Sequence, residues 1–314
     1  MKKDRLKNRD ARESTRCIVC GNINPARFRI KYRKPTFHVM ECLDCTFSFI
    51  PSTFRKSIDY THYKSSDVAE EVGRSDVWLK IQRNLLRYRL IRKCQPSGKI
   101  YDIGCGFGHF LLTGKQLGYH VSGVEMSKAN VEYVRKQVGI PVDEGDFLRV
   151  REGEQYDVMT LWDVLEHMDT ADRVIEKASH MTRPGGFLFV QVPQIDSLLA
   201  SILEDKWWAM GLDHANYFSR KTIRLLLEKN GFKVMNIFSS MELKNLLVYV
   251  ILPKLRPKKK QSNLTAALRQ REFNRMTRKS SRMRSILVAL HNAIYKGLSI
   301  LKIGDEMIVV ALRL

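Results

Sequence analysis

An α/β architecture is what this sequence predicts: a doubly wound parallel sheet with a small cysteine module ahead of it. Three observations carry that expectation. Apolar runs of strand length alternate with helical patterns from residue 99 to about Val192. Glycines recur at every second position after the first of those runs, in the segment from Ile100 to Leu111 that contains Gly104, Gly106 and Gly108. Two C-x-x-C pairs, Cys17/Cys20 and Cys42/Cys45, stand near the start of the chain.

In chain order the cysteines come first. Two residues between thiolates let one tight turn present both sulfurs to a tetrahedral ion, and two such turns complete a four-cysteine site. The 21 residues between the pairs suit a β-hairpin. A structural zinc at Cys17, Cys20, Cys42 and Cys45 is therefore expected, over a redox pair or unoccupied thiols. The module, residues 1–55, is too small to fold on core burial, so metal would supply its stability. Four thiolates leave no open position, which argues against catalytic zinc. Cys94 and Cys105 have no such partner, and His38 reads as an ordinary strand residue.

Residues 56–98 form a connector and a covering helix. Trp78, Ile81, Leu85, Leu86, Leu90 and Ile91 recur at helical spacing, so the helix packs on the sheet or covers the ligand site. Tyr60 and Tyr63 lie in the polar loop before it. The core spans 99–242 and ends in a helix over 222–230, closed by Gly231, and a strand over 232–239. A last strand lies in 304–314, so 243–303 is an insertion between the final two strands.

That insertion holds much of the net charge of +21: from Ile251 to Gly304, fourteen Lys or Arg face the single acid Glu272. Leu264, Leu268 and Met276, then Ile286, Leu290, Ile294 and Leu301, set apolar stripes among the cations. Such basic amphipathic helices suit an anionic membrane surface. Packing on the domain itself and binding to RNA phosphates are the alternatives. No apolar run reaches the roughly eighteen residues of a membrane span, and the charged N-terminus lacks an apolar signal region. These features predict a cytoplasmic protein with reduced thiols, peripheral at the inner membrane face if the insertion docks there.

The glycine turn narrows the chemistry. Glycine tolerates positive φ and lets backbone N–H groups approach a ligand closely, and the helix that follows favours an anion at its N-terminus. The dinucleotide fingerprint G-x-G-x-x-G fails, because its last glycine would fall at His109; no phosphate-binding G-x-x-x-x-G-K-[ST] exists either. What stands is D-x-G-x-G-x-G, from Asp102 to Gly108. Further along come a strand ending at Glu125 and Met126, whose carboxylate can accept both hydroxyls of a ribose, then Asp146-Phe147. After these come Trp162-Asp163-Val-Leu-Glu166-His167 and Arg183-Pro-Gly-Gly through Pro193.

This ordered set resembles the class I S-adenosylmethionine-dependent methyltransferases of the Methyltransf_23 type, across roughly residues 75 to 245 and again at 304–314. The resemblance implies a Rossmann-like doubly wound sheet of seven strands with an antiparallel last strand. It also implies a small N-terminal zinc ribbon, as several sugar methyltransferases carry. S-adenosylmethionine would be held by Asp102, Gly104, Gly106, Gly108, Glu125, Met126, Asp146, Phe147 and Trp162, the Asp146 carboxylate taking the adenine amino group.

Methyl transfer from a sulfonium is an in-line displacement, and a hydroxyl or carbon acid also needs its proton removed. His167, after the fourth strand, and His214, after the fifth, lie on loops at the carboxyl edge where ligands bind. The sugar C-methyltransferases this chain resembles use an acid–His pair in an E-H-x-x-Y-F segment as base; here Asp213-His214 takes that place, with a shorter acid. The D-x-x-E-H segment also resembles the E-x-x-E-H of ubiquinone O-methyltransferases, which is associated with a divalent metal, so Mg²⁺ near Glu166 is an alternative role. The fourth strand lacks the [DN]-P-P-[YF] of amino-directed base methyltransferases. The expected reaction is methyl transfer to a hydroxyl or acidic carbon of a small molecule, a sugar nucleotide or a lipid-linked glycan. RNA methylation, quinone-type O-methylation at a membrane surface, and a cofactor-sensing scaffold without catalysis are the alternatives.

Overall fold

The computed structural model describes residues 16–55, 77–240 and 304–314. The segment with Tyr60 and Tyr63 and the basic insertion 243–303 lie outside the described residues.

The cysteine module contributes β1 (Phe28–Arg33), β2 (His38–Cys42) and β3 (Ser48–Phe49), an antiparallel meander. Helix α1 (Val77–Cys94) follows and leads into the core. There β4 (Lys99–Ile103), α2 (His109–Gln116), β5 (His120–Glu125), α3 (Lys128–Tyr133), β6 (Val142–Glu144), β7 (Tyr156–Trp162), α4 (Ala171–Met181) and β8 (Thr182–Pro193) alternate. A short helix α5 (Leu198–Leu203), a two-residue strand β9 (Asn216–Tyr217), α6 (Arg220–Lys229), β10 (Phe232–Ser240) and β11 (Glu306–Arg313) complete the chain.

The large sheet has seven strands in the order β10-β11-β8-β7-β4-β5-β6. Strands β6, β5, β4, β7 and β8 run parallel, and β11 lies antiparallel between β8 and β10. The central strands are buried on both faces, which is why β7 sets Val158 beside Met159 and Leu161 beside Trp162 rather than alternating apolar with polar residues. One face packs on α4 and α6 through Val174, Ile175, Ala178, Ile223, Leu226 and Leu227, and the other on α1 and α2 through Tyr88, Ile91, Phe110 and Leu111. The chain winds outward from β4 in both directions, so the loops after β4 and β7 sit at a topological switch point, where open α/β sheets bind ligands.

Two local devices set the helices. Ser219 caps α6: its side chain accepts from Thr222 N while Thr222 Oγ1 accepts from Ser219 N at 2.8 Å, a reciprocal box of the kind that stabilises helix starts. The expected helix begins two residues late for this reason, since the box lies in front of the first apolar residue. Helix α1 buries Asn84, Arg87, Tyr88 and Ile91, one face at i, i+3, i+4 and i+7, while Ile81 is 41% exposed among the described residues. The apolar stripe read from the sequence is thus rotated, and on the buried face Tyr88 stacks on Phe110 with centroids 4.6 Å apart.

The module's sheet does not end at β3. It continues onto β9, a strand from the core segment, in the order β1-β2-β3-β9. The ribbon expected within residues 1–55 therefore borrows its fourth strand from residues 216–217. None of the six cysteines is in a disulfide, and among the described residues no helix is long and apolar enough to cross a membrane.

Candidate active site

Strand β4 ends at Ile103 and turns through three glycines in the left-handed region, with φ of 74° at Gly104, 53° at Gly106 and 72° at Gly108. The N–H groups of Gly104 and Cys105 donate to Val124 O, and Gly106 N donates to Glu125 Oε2 at 2.9 Å. Glu125 also accepts from Ser127 N through Oε1 at 2.9 Å, so the carboxylate at the end of β5 is oriented by backbone on both oxygens. A Cβ at Gly104 would lie 2.8 Å from Val164 Cγ2 and one at Gly108 would lie 2.9 Å from Val134 Cγ2, whereas one at Gly106 meets nothing within 4 Å. The middle glycine thus faces an open cradle, which fits a ligand carried against its backbone.

This difference gives a test. Gly106→Ala is expected to cost about 1–2 kcal/mol of stability from its positive φ alone, yet to weaken uptake of S-adenosylmethionine strongly, because the methyl group fills the cradle. Gly104→Ala adds a collision with Val164 and should lose more stability. Thermal melts and calorimetric titration of the two variants separate these effects.

The other expected cofactor residues are distributed around this turn. Met126 is 44% exposed. Asp146 is exposed at the end of β6, where Oδ1 accepts from Leu148 N at 2.9 Å and the second oxygen remains for a ligand. Phe147 takes a different place: its side chain is buried beside Tyr101 and under Lys177 Nζ, at 5.3 Å from the ring centroid. Asp102 is buried behind the turn and accepts from Thr160 Oγ1 at 2.6 Å. Burial pushes its carboxyl up to about 7, against the pull of Thr160 and Arg87.

Trp162 closes the end of β7, with Phe110 and Phe189 around it and the Arg87 guanidinium 4.3 Å above its ring. Sequence reasoning missed Arg87. It donates to Gln191 Oε1 at 2.9 Å, to Asp163 Oδ2 at 3.1 Å and to Asn84 Oδ1 at 3.2 Å, and Gln191 in turn donates to Asp163 and Glu306. Burial lowers the guanidinium to about 10, still charged at neutral pH. A buried cation without partners costs several kcal/mol; the carboxylate, two amides and the aromatic face compensate it. The same network holds Asp163 in the left-handed region at φ 61°, an uncommon conformation for a residue with a side chain.

Beyond Asp163 the chain makes a 3₁₀ turn, Leu165–His167, and here the two expected histidines meet. The rings of His167 and His214 are 4.7 Å apart and edge to face. His167 Nδ1 lies 2.8 Å from Asp213 O, so this nitrogen carries the hydrogen and Nε2 keeps its lone pair. His214 is buried and its Nδ1 has no hydrogen-bond partner. Its Nε2 is 3.7 Å from Asp213 Oδ2, too long for a hydrogen bond, and that carboxylate is 60% exposed. Asp213 acts here mainly through its backbone carbonyl on the other histidine. Burial, then the neighbouring His167, lowers His214 to about 4, and burial lowers His167 as well. Both rings are neutral at pH 7.

Glu166 lies under the pair with 2% exposure, and its Oε2 has no partner. Burial, then Asp163 and Asp213, raises its carboxyl well above the usual range. One donor atom each from Glu166, His167 and His214 lie within 4.8 Å of one another, a set able to hold a metal ion. Asp163 of the D-x-x-E-H segment is engaged elsewhere, by Arg87, Arg83 and Gln191.

The four cysteines of the module also converge. Cys17 and Cys45 sulfurs are 3.5 Å apart, Cys20 and Cys42 sulfurs 3.6 Å, and all four lie within 4.8 Å. Zn–S bonds of about 2.3 Å in a tetrahedron put sulfurs roughly 3.8 Å apart, so the set fits a zinc ion with little adjustment. Asn22 Nδ2 points at Cys42 Sγ at 3.8 Å. The shared hydrogen between Cys17 and Cys45 holds Cys45 down and pushes Cys17 up.

Comparison with known proteins agrees with this geometry. Residues 75–237 match the methyltransferase domain family Methyltransf_23. The ubiquinone biosynthesis O-methyltransferase of Chelativorans sp. is 35% identical over 98 residues, covering 29% of this chain and 39% of that protein. Its counterpart in Paraburkholderia phytofirmans is 32% identical over 101 residues, covering 30% of this chain and 44% of that protein. The chain thus spans about two fifths of the length of these relatives. A chain in the Haloferax volcanii complex of the Trm112 methyltransferase activator with a methyltransferase superposes with a TM-score of 0.50 at 12% identity, over 79% of this chain and 93% of that one; it shares the fold. The seven-stranded sheet, the glycine turn and the family match define a class I S-adenosylmethionine-dependent methyltransferase. The chain belongs to the Methyltransf_23 methyltransferase domain family.

Proposed function

We propose that this protein transfers the methyl group of S-adenosylmethionine to a hydroxyl or acidic carbon of a small molecule, a sugar nucleotide or lipid-linked glycan, at the His167–His214 pair. The supporting observation is the meeting of two neutral histidines from separate loops, on a turn whose Val164 packs against Gly104 of the cofactor loop. The glycine turn, Glu125 and Asp146 bind the cofactor, and Arg87 and Trp162 close the site from the α1 side. One histidine takes the acceptor's proton as the acceptor's electron pair forms the new bond to the methyl carbon. The carbon–sulfur pair leaves on the sulfur, giving a neutral thioether. His214 is the candidate base, and His167, fixed by Asp213 O, sets its ring. The four cysteines hold a structural zinc in this reading.

Labelled S-adenosylmethionine incubated with sugar nucleotides and with lipid extracts tests the proposal: label in either fraction supports it, and label only in RNA rejects it. A second reading is O-methylation of a quinol-type hydroxyl at a membrane surface, favoured by the ubiquinone O-methyltransferase relatives and by the donor set of Glu166, His167 and His214. In that reading Mg²⁺ added to zinc-loaded protein raises turnover of a quinol acceptor; an unchanged rate removes the metal from the scheme. The basic insertion would serve either reading by bringing the enzyme to anionic lipid. Deleting residues 254–302 is then expected to abolish sedimentation with anionic vesicles, and equal sedimentation of the truncated protein would assign the insertion elsewhere.

A further inference from the structure

We propose that the cysteine module is a clamp that fixes the two histidine loops relative to each other, with Arg55 as its positioning residue. This rests on the reading of His167 and His214 as the reacting end.

The two loops come from different strands, His167 after β7 and His214 after β8, and neither histidine lies in the large sheet. Strand β9, two residues beyond His214, takes its ladder partner from the module: Ser48 pairs with Tyr217 and Phe49 with Asn216. Ile50 N adds a bond to Ala215 O at 2.8 Å, directly beside His214. The module reaches the second loop through Arg55. Its Nη2 donates to His167 O at 2.8 Å and its Nη1 lies 3.3 Å from Asp169 Oδ1, with the side chain only 5% exposed. Asn216, opposite Phe49, completes the frame by donating from Nδ2 to Leu165 O and Met168 O, at 3.2 and 2.7 Å, the residues on either side of Glu166 and His167. Arg16 pairs with Asp172 at 2.8 Å at the start of α4.

The module therefore holds one histidine loop by a strand ladder and the other by a buried guanidinium. Rigid backbone pairing matters because a reacting group misplaced by about 1 Å can lose on the order of 10²-fold in rate. Loops alone give less definition than strands. A planar guanidinium, with one directed hydrogen bond to His167 O and an ion pair to Asp169, suits the task better than an ammonium, which is a compact point charge.

The test uses the full-length, zinc-loaded chain. Arg55→Ala is expected to lower kcat for transfer from labelled S-adenosylmethionine to the lipid and small-molecule extract at least tenfold. Its cofactor affinity should stay within twofold of the parent and its zinc content unchanged. The ring signals of His167 and His214 in a long-range ¹H–¹⁵N spectrum should move, and Arg55→Lys should recover part of the rate and of the shift. Where Arg55→Ala fails to fold, Asp169→Ala decides, because Asp169 is exposed and only steadies Arg55: the same signals should move in the same direction. Unmoved ring signals with parental kcat in the variant that folds overturn the clamp. Retained turnover in His214→Ala instead overturns the reading of the histidine pair, so the two failures are distinguishable.

Discussion

His214→Ala is expected to lower methyl transfer by about 10²–10⁴-fold, the range for losing a positioned general base, while S-adenosylmethionine still binds. The cofactor loop and the histidine belong to different parts of the chain: Gly104 and Gly106 lie in the turn after β4, Glu125 ends β5, and His214 precedes β9. Calorimetry should show unchanged cofactor uptake, and a product assay with labelled cofactor should show the loss. The pH profile carries a second signature. His214 is held down to about 4, first by burial and then by His167, so it stays neutral well below the ordinary histidine value. The rate should therefore remain flat as pH falls through 6.5 and decline only nearer 4. Stability has the same sign. The unfolded ring binds a proton below about 6.5 and the folded one only near 4, so the unfolded state carries more protons between these values. Stability is full above 6.5 and falls as pH drops through that window. A profile that breaks at 6.5 would mean that a solvated histidine, not this one, takes the proton.

Withdrawing zinc from the cysteine module should have the largest effect on stability. Structural zinc sites of this type contribute roughly 10–16 kcal/mol of apparent binding energy, and the module's own buried apolar set is small: Ile18, Val19, Phe28, Met40, Phe47 and Phe49 with the cysteines in one cluster, and Phe37, Val39 and Ile50 in another. Chelation, or Cys42→Ala, is expected to melt the module as a separate early transition in calorimetry, with the seven-stranded sheet melting later. Loss of β3 also takes the ladder partner from β9, so transfer activity should vanish at the first transition and cofactor binding only at the second. A single transition for both would show that the module and the core unfold as one unit.

The features legible in the sequence are those written in contiguous residues. The central strands are apolar runs buried on both sides, the glycine turn needs positive φ at fixed positions, and the cysteine knuckles are local by geometry; each stands where it was expected. The antiparallel last strand followed from resemblance and is found between β8 and β10. Arg87 was invisible because its partners are remote, Asp163 and Gln191 lying 76 and 104 residues away, and because periodicity assigns an arginine to solvent. Its spacing with Asn84, Tyr88 and Ile91 was the available signal, one helix face holding two polar residues. Strand β9 is too short to show alternation, so the sheet it completes could not be read. Asp213 illustrates a different limit: the resemblance pairs it, as a shorter acid, with His214, whereas in the structure its main-chain oxygen orients His167. Backbone acceptors are the same at every position and leave no trace in residue type.

The pairing of Ser240 with Glu306 has a consequence for the segment between them. To the sheet, residues 241–305 are the turn of a hairpin, whatever their number, because the chain departs and returns one strand spacing apart. Closing a longer turn costs little, about 0.6 kcal/mol per doubling of length. That junction opens at the carboxyl end of the parallel strands, since Glu306 also touches Gln191 beside Asp163. Sequence can therefore be gained, lost or exchanged there at small thermodynamic expense, at the same rim of the sheet as Asp163, which makes this a natural place for chains that share one core to diverge.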